Sequence, residues 1–319
     1  MNFLSSRLLH AIPLKFLKNV NYPNPLGLIY HLISEEKIPH TQFIINHKST
    51  SQFKNDLNYL LKYYDPIDIQ DIPKYNGIRN NKIFFSFDDG YREVFDIVAP
   101  ILESKGINAG IFVPLEFIDN KQLGHRNKIS LIIHSISDKL DKQRLVGDYL
   151  NVKDVNFNKL TNELLKLSYG DQNFINELAQ IIGINFREYL EKEKPYLSLD
   201  QLYDLQKRGF YIGGHTIDHP YLQSMSLNEQ VRQTIKSTDF FHRNFNNNIN
   251  IFAIPFNNKG LTKEFYNYIS HKADFILGTE VLGMQVNQVI ERIEMENGYG
   301  VDVSLKKEFI KYFIRKNYF

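Results

Sequence analysis

Two short segments hold residue types whose spacing suits chemistry. In FSFDDG, residues 85–90, an apolar run ends in two adjacent carboxylates, Asp88 and Asp89. Neighbouring carboxylates repel and are costly to dehydrate, so such a pair at a strand end is tolerable where a cation or several donors offset it. In GGHTIDHP, residues 213–220, His215 and His219 stand four apart, and the flanking glycines and proline argue against a long helix. A strand end turning into a loop would aim both imidazoles at one point. Taken singly, each segment has an ordinary reading. Asp-Gly is a common turn, and an Asp there can cap a following helix; two histidines at this spacing also occur unrelated to each other on surfaces and in cores. Taken together, one carboxylate and two imidazoles make a ligand set that suits Zn²⁺, Fe²⁺, Co²⁺ or Ni²⁺, with positions left open for water and substrate. The second carboxylate is then free to act as a base.

Such residues need elements that bring them to one place. The run IFFSF, 83–87, reads as a buried strand stopped by Asp88, Asp89 and Gly90. A helix follows over 93–105, with Val94, Ile97, Val98, Ile101 and Leu102 on one face and Gly106 at its end. The next strand covers 107–113. This β-turn-α-β order is the signature of a parallel sheet or barrel. The same logic returns later: a helix over 199–207 ended by Gly209, a strand over 210–212 ending in two glycines, a helix over 227–245 and a strand over 251–254. Segments 264–271 and 275–277 continue the alternation, and a final helix covers about 304–315. Upstream, LIYHL, 28–32, is a short apolar run. Residues 50–64 form a helix that Thr50 or Ser51 caps, with Phe53, Leu57, Leu60 and Leu61 at helical spacing. Residues 120–193 differ. They are richer in charge and Asn, with Leu160, Leu164, Leu165, Ile175, Leu178, Ile181 and Ile182 at helical period. We read them as a helical insertion, not an independent domain.

Composition excludes several function classes. The 38 basic and 36 acidic side chains leave a formal charge of +2 with no block of like charge, so a nucleic-acid footprint is not expected. The absence of cysteine removes disulfides, thiolate ligands and a cysteine nucleophile. Residues 1–20 form an N-terminal extension. Arg7, His10, Lys15 and Lys18 interrupt its apolar runs, so it does not read as a secretory signal. No stretch approaches the ~20 apolar residues that span a bilayer. The extension is expected to pack as a helix, with a peripheral membrane contact through Phe3, Leu4, Leu8 and Ile12 as the alternative. A cytoplasmic or membrane-peripheral location follows as an expectation. The chain has 24 Phe and 19 Tyr but no Trp, and most of these rings must belong to the core.

A resemblance joins these observations. FSFDDGYREVFDIVAPILESKGINAGIFV, from Phe85, resembles the first motif of the polysaccharide deacetylases, carbohydrate esterase family 4, with its nodulation-type chitooligosaccharide deacetylase homology domain. YLSLDQLYDLQKRGFYIGGHTIDHPYL, 196–222, resembles their second motif, and IFAIPF, 251–256, their third-motif strand. LIYHL and 51–69 are similar to the first strand and helix of many members. The resemblance implies an α/β fold, a distorted (β/α)7 TIM-like barrel over 21–319 with the helical insertion at about 120–193. It implies removal of N-acetyl groups from an acetylated sugar, glycan or glycan precursor, with acetate released. O-acetyl esterase activity and a non-catalytic carbohydrate-binding role are the alternatives. It implies a divalent metal, Zn²⁺ first and Co²⁺, Ni²⁺, Mn²⁺ or Fe²⁺ after it, on Asp89, His215 and His219. Asp88 would be the general base, the Tyr91 amide an oxyanion donor, and Pro255 and Phe256 the walls of the acetyl pocket. The chain also departs from the pattern. Ser86 replaces the usual Thr, and Ala253 stands where many members carry an Arg. Arg292 in VIERIEM resembles a later Arg-Ile element that would serve instead, unless it forms a surface ion pair with Glu291, Glu294 or Glu296. The late Leu-x-His element that supplies the general acid is missing, which leaves His31, His125 and His134 as candidates, with His31 placed nearest the site by its Tyr-His context.

Overall fold

The structure, a computed structural model, describes residues 25–78, 81–280 and 288–318, with side chains described to residue 314. The N-terminal extension of residues 1–20 therefore lies outside the described residues. Eight strands run in chain order: β1 (Leu26–Tyr30), β2 (Asp65–Pro66), β3 (Lys82–Phe87), β4 (Ala109–Val113), β5 (Tyr211–Gly214), β6 (Ile251–Ala253), β7 (Phe275–Gly278) and β8 (Val289–Glu294). All neighbouring pairs are parallel. β1 pairs with both β3 and β8, which closes β1, β3, β4, β5, β6, β7 and β8 into a seven-stranded barrel. The two-residue β2 adds to the start of β3. The expected (β/α)7 barrel is the observed architecture.

Alternation along each strand decides what faces the barrel axis. Ile83, Phe85 and Phe87 of β3, Leu26, Leu28 and Tyr30 of β1, and Ala109, Ile111 and Val113 of β4 pack outward in one apolar cluster with helices. Those helices include α1 (Thr50–Leu60) and α2 (Ala99–Glu103). The opposite parity holds Phe84, Phe112, Tyr211, Ile251, Ala253, Leu277 and Ile290, which fill the interior. The large rings need small neighbours. A Cβ on Gly213 would stand 2.6 Å from Phe112 and 2.7 Å from Tyr211, and one on Gly27 would stand 2.6 Å from Phe84.

Two helix ends differ from the sequence expectation. Ser49, not Thr50 or Ser51, caps α1 and forms a reciprocal capping box with Gln52. The helix expected over 93–105 opens as a π-turn, Val94–Val98, before α2. Pro100 has no N–H to donate to the preceding turn, and the wider turn absorbs that loss.

Between β4 and β5 the insertion supplies five helices: α3 (His125–Ile136), α4 (Leu140–Tyr149), α5 (Phe157–Lys166), α6 (Gln172–Ile181) and α7 (Phe186–Glu193). They bury their own core of Ile129, Ile132, Ile133, Leu160, Leu164, Ile175 and Leu178 with others. The barrel then resumes with α8 (Leu199–Lys207), α9 (Leu227–Asn244), α10 (Lys263–Ile269) and α11 (Val301–Tyr318). No described helix is long and apolar enough to cross a membrane.

The tight interior gives a test. Gly213→Ala should overpack Phe112 and Tyr211 and cost about 2 kcal/mol of stability. Urea denaturation measures it, and an unchanged midpoint would mean that the interior is loosely filled.

Candidate active site

The carboxyl ends of the strands meet at a cavity of about 750 Å³, the end of a barrel where sites assemble. The inward parity brings four side chains there. Asp88 continues β3 past Ser86, His215 continues β5 past Gly213, His31 continues β1, and Arg292 lies within β8. Asp89 has the opposite parity and would point away if the strand went on. Its φ of +71°, followed by Gly90 at +68°, turns it back into the cavity. Gly90 cannot be replaced easily, because a Cβ there would lie 2.6 Å from Val113. Thr216 (+70°), His219 (+60°) and Phe256 (+58°) are also left-handed. Each such non-glycine residue costs on the order of 1 kcal/mol or more, and clusters of them mark functional sites. The His215–His219 loop is held by Gln233, whose Oε1 accepts from the Ile217 amide at 2.9 Å, and by the Thr216 hydroxyl, which accepts from the His219 amide at 3.1 Å.

Asp88 and Asp89 solve the problem of adjacent buried charge in different ways. Arg292 donates to both oxygens of Asp88 at 2.7 Å, in a two-pronged pair sealed from solvent. Arg292 also donates to Ser86 Oγ at 3.0 Å, and Ser86 donates to the Leu28 carbonyl at 2.8 Å. Burial opposes the charge on Asp88, but the guanidinium overcomes it and holds the carboxyl below its ordinary range. Of the two placements open to Arg292, the surface pair with Glu291, Glu294 or Glu296 is excluded: the residue is 2% exposed.

No arginine among the described residues pairs with Asp89. Its Oδ1 lies 3.0 Å from His219 Nε2 and 3.4 Å from His215 Nε2, yet that oxygen is buried without a well-directed hydrogen bond. Burial again opposes the charge, and the two imidazoles hold the carboxyl well below its ordinary range. His215 Nδ1 donates to the Ala253 carbonyl at 2.8 Å, which turns Nε2 toward Asp89. Two imidazole nitrogens and a carboxylate oxygen converging on one point are the arrangement of ligands sharing a cation. One ligand atom each from Asp89, His215 and His219 lie within 4.8 Å of one another. The donor set therefore fits a divalent metal, and the backbone acceptor behind His215 is the kind of partner that orients metal-bound imidazoles.

The remaining candidates divide. Tyr91 lines the cavity, and its amide has no acceptor among the described residues. Its hydroxyl accepts from Asn127 of α3 at 2.8 Å. Phe256 lines the cavity with its ring 4.6 Å from that of His219. Pro255 is buried beside it, and Ile254, not Pro255, reaches the cavity wall. His31 lines the cavity and pairs with Glu296 at 2.6 Å. Glu296 also accepts from the amides of His31 at 2.7 Å and Leu32 at 3.2 Å. Burial pulls the His31 pKa down, but the hydrogen bond and charge of Glu296, with Asp89 and Asp88 behind, carry it up to about 10. His125 lines the cavity as well, whereas His134 is bonded to Gln42 on the surface.

Sequence reasoning missed Glu296 and Asn127 as site residues. Glu296 stands 265 positions from His31, in a segment with no motif. Asn127 binds Tyr91, the His40 carbonyl at 2.9 Å and the Tyr196 hydroxyl at 3.0 Å, three partners distant in sequence. Neither left a local signal.

Comparison with known proteins follows the geometry. Residues 76–269 match the polysaccharide deacetylase family model. Among solved structures, the Streptococcus pyogenes deacetylase PplD in complex with acetate is similar at 14% identity over 88% of this chain and 96% of that one, with a TM-score of 0.53. A polysaccharide deacetylase from Bacillus cereus is similar at 14% identity over 89% and 68%, with a TM-score of 0.54. A de-N-acetylase from Aggregatibacter actinomycetemcomitans is similar at 12% identity over 89% and 98%, with a TM-score of 0.52. These identities speak to the fold alone. No curated protein matches the chain in sequence. The family match spans well over half of the chain and includes both the carboxylate pair and the two histidines: the chain belongs to the polysaccharide deacetylase family and is a carbohydrate deacetylase.

Proposed function

We propose that the protein is a metal-dependent hydrolase that removes N-acetyl groups from an acetylated sugar, glycan or glycan precursor and releases acetate. The observation that carries the reading is the division of labour between neighbouring carboxylates. Asp88 is neutralised by Arg292, and Asp89 faces the Nε2 atoms of two imidazoles. A non-catalytic binder has little use for so costly a pair. The name of the similar de-N-acetylase supports amide over ester cleavage.

Asp89, His215 and His219 would hold the metal, with Zn²⁺ favoured by the nitrogen-rich set. When bound, a divalent metal supplies Lewis acidity that activates water and polarises the acetyl carbonyl. The protein's own groups do the rest. Asp88, kept charged and aimed by both prongs of Arg292, takes the proton from the attacking water. The free Tyr91 amide donates to the developing oxyanion, a contact typically worth ~3 kcal/mol. Phe256 and Ile254 bound the acetyl methyl. His31, charged at neutral pH because of Glu296, gives its proton to the departing amine nitrogen. It takes the role for which the expected late histidine is missing. His125 does not suit that role, because burial, with Arg126 and Lys128 beside it, lowers its pKa to about 3.

Three measurements test this reading. Purified protein should carry one divalent metal per chain, and chelation should abolish acetate release from N-acetylated sugars; activity that survives complete metal removal would refute it. Asp88→Asn should retain the metal and lose at least about a hundredfold in kcat, while His215→Ala should lose the metal itself. If Asp88→Asn turned over normally, the base would be another residue. Arg292→Met leaves the Asp88 charge buried and unpaired, at a cost of about 3–5 kcal/mol near neutral pH. The sign with pH follows from the depressed carboxyl. Its stabilising contribution is present above the ordinary carboxylate range and lost as pH falls through its lowered value. The gap between wild type and Arg292→Met in denaturant melts, both in chelator, should therefore shrink on acidification. A gap that is independent of pH would contradict the ion pair.

A further inference from the structure

The insertion contributes more than a wall. Its first helix, α3, starts at the cavity, and its first residue is His125. That side chain is 4% exposed and lines the same cavity as Asp89 and His219. Its Nδ1 is buried without a partner, and no hydrogen bond reaches either ring nitrogen from another described residue. Buried polar atoms are normally paired, so an imidazole left unpaired inside a binding cavity calls for a ligand. The ring is also fixed in place. It stands edge-on to Phe256 at 6.0 Å and to Tyr169 at 5.5 Å, and Phe256 in turn packs on the ring of His219. Two residues on, Asn127 bonds Tyr91, which directly follows the Asp88-Asp89-Gly90 turn. The start of α3 is thus tied to the reacting centre by a buried hydrogen bond.

The charge state of His125 narrows the ligand. The positive end of the α3 dipole, with Arg126 and Lys128 in the same turn, disfavours an imidazolium. Burial acts in the same direction. A neutral imidazole meets a ligand through one ring nitrogen, as donor or as acceptor according to its tautomer. A sugar hydroxyl can serve either tautomer, whereas a carboxylate or phosphate pairs only with the N–H and an ammonium only with the lone pair.

We propose that His125 is a substrate-binding residue that hydrogen-bonds a hydroxyl of the sugar bearing the acetyl group, so that the insertion recognises the sugar while the barrel cleaves. The proposal rests on the reading of the site as that of a sugar deacetylase. It assigns His125 to holding the ring, separate from the proton work of Asp88 and His31.

The test is a binding measurement, so that it does not depend on turnover. The probe is tetra-N-acetylchitotetraose, titrated calorimetrically into zinc-loaded Asp88→Asn protein. In that background His125→Phe keeps the ring and its edge contacts but removes both nitrogens, and it should raise the Kd about tenfold or more, the loss expected for one buried hydrogen bond. His125→Gln keeps a donor and an acceptor and should stay within about threefold of the parent. Zinc content should be equal in all three. In the wild-type background the same His125→Phe change should raise KM more than it lowers kcat. A Kd unchanged by His125→Phe overturns the proposal while leaving the deacetylase reading intact. A Kd raised equally by Phe and Gln also overturns it, because the ring would then matter only for packing. No binding by the Asp88→Asn parent would overturn it as well. If His125→Phe weakens binding but the wild type releases no acetate, the sugar-binding role stands and the deacetylase reading fails.

Discussion

Two carboxylates in neighbouring positions cannot both stay charged in a buried cavity unless each has its own counter-charge. Most of the site follows from that constraint. Asp88 takes the guanidinium of Arg292, planar and permanently charged, in a pair that matches both oxygens. Asp89 is turned by a left-handed backbone toward the imidazoles of His215 and His219, a set whose atoms lie close enough together to hold a metal ion. The two solutions are not interchangeable. On the proposed roles, an arginine on Asp89 would block the metal, and a metal shared by both would leave no free base. The turn at Asp89 and Gly90 separates them by sending adjacent side chains to different partners.

The centre of this arrangement was legible in the sequence, and its supports were not. The carboxylate pair and the histidine pair stand within short segments whose turns and strand ends are local, so composition and spacing reveal them. Asp88 and His215 share the inward parity, as the period of two requires, and the glycines before and after them mark the bends. Arg292 resisted a single reading because half of β8, VIERIE, is charged, with Glu291 beside Arg292 and Glu294 two residues on, as in an exposed strand. Only barrel closure puts its charged face inside, 204 positions away from Asp88. Glu296 and Asn127 failed to register for the same reason, since their partners lie on other elements and the residues around them form no pattern. The cap at Ser49 and the π-turn before Pro100 were missed by a smaller margin, one of register within elements correctly anticipated.

The insertion adds a second level of positioning. Its five helices have their own apolar core, which holds α3 rigid. Asn127 commits both N–H donors, to Tyr91 and the His40 carbonyl, and its carbonyl accepts from Tyr196. Such buried hydrogen bonds fix geometry more firmly than apolar contact does, because any shift leaves a polar group unpaired. The helix start is thereby tied to Tyr91, the residue after the Asp88-Asp89-Gly90 turn. Barrel and insertion meet at this network.

The barrel seam completes the argument. β1 and β8 come from opposite ends of the described chain, and their parallel pairing closes the ring. His31 leaves the end of β1, Arg292 lies in β8 opposite Gly27, and Glu296 follows β8 directly. Gly27 is required at that register, since a Cβ there would lie 2.8 Å from Arg292. The partner that charges Asp88 and the pair proposed as the proton donor are therefore assembled by closure itself. An open sheet would keep His215 and His219 near Asp89, because β3, β4 and β5 are consecutive neighbours. It would take Arg292 from Asp88 and separate His31 from Glu296. On the proposed roles, metal affinity and turnover depend on different parts of the fold. The first needs the adjacent strands β3 to β6, since the Ala253 carbonyl orients His215, and the second needs the whole ring.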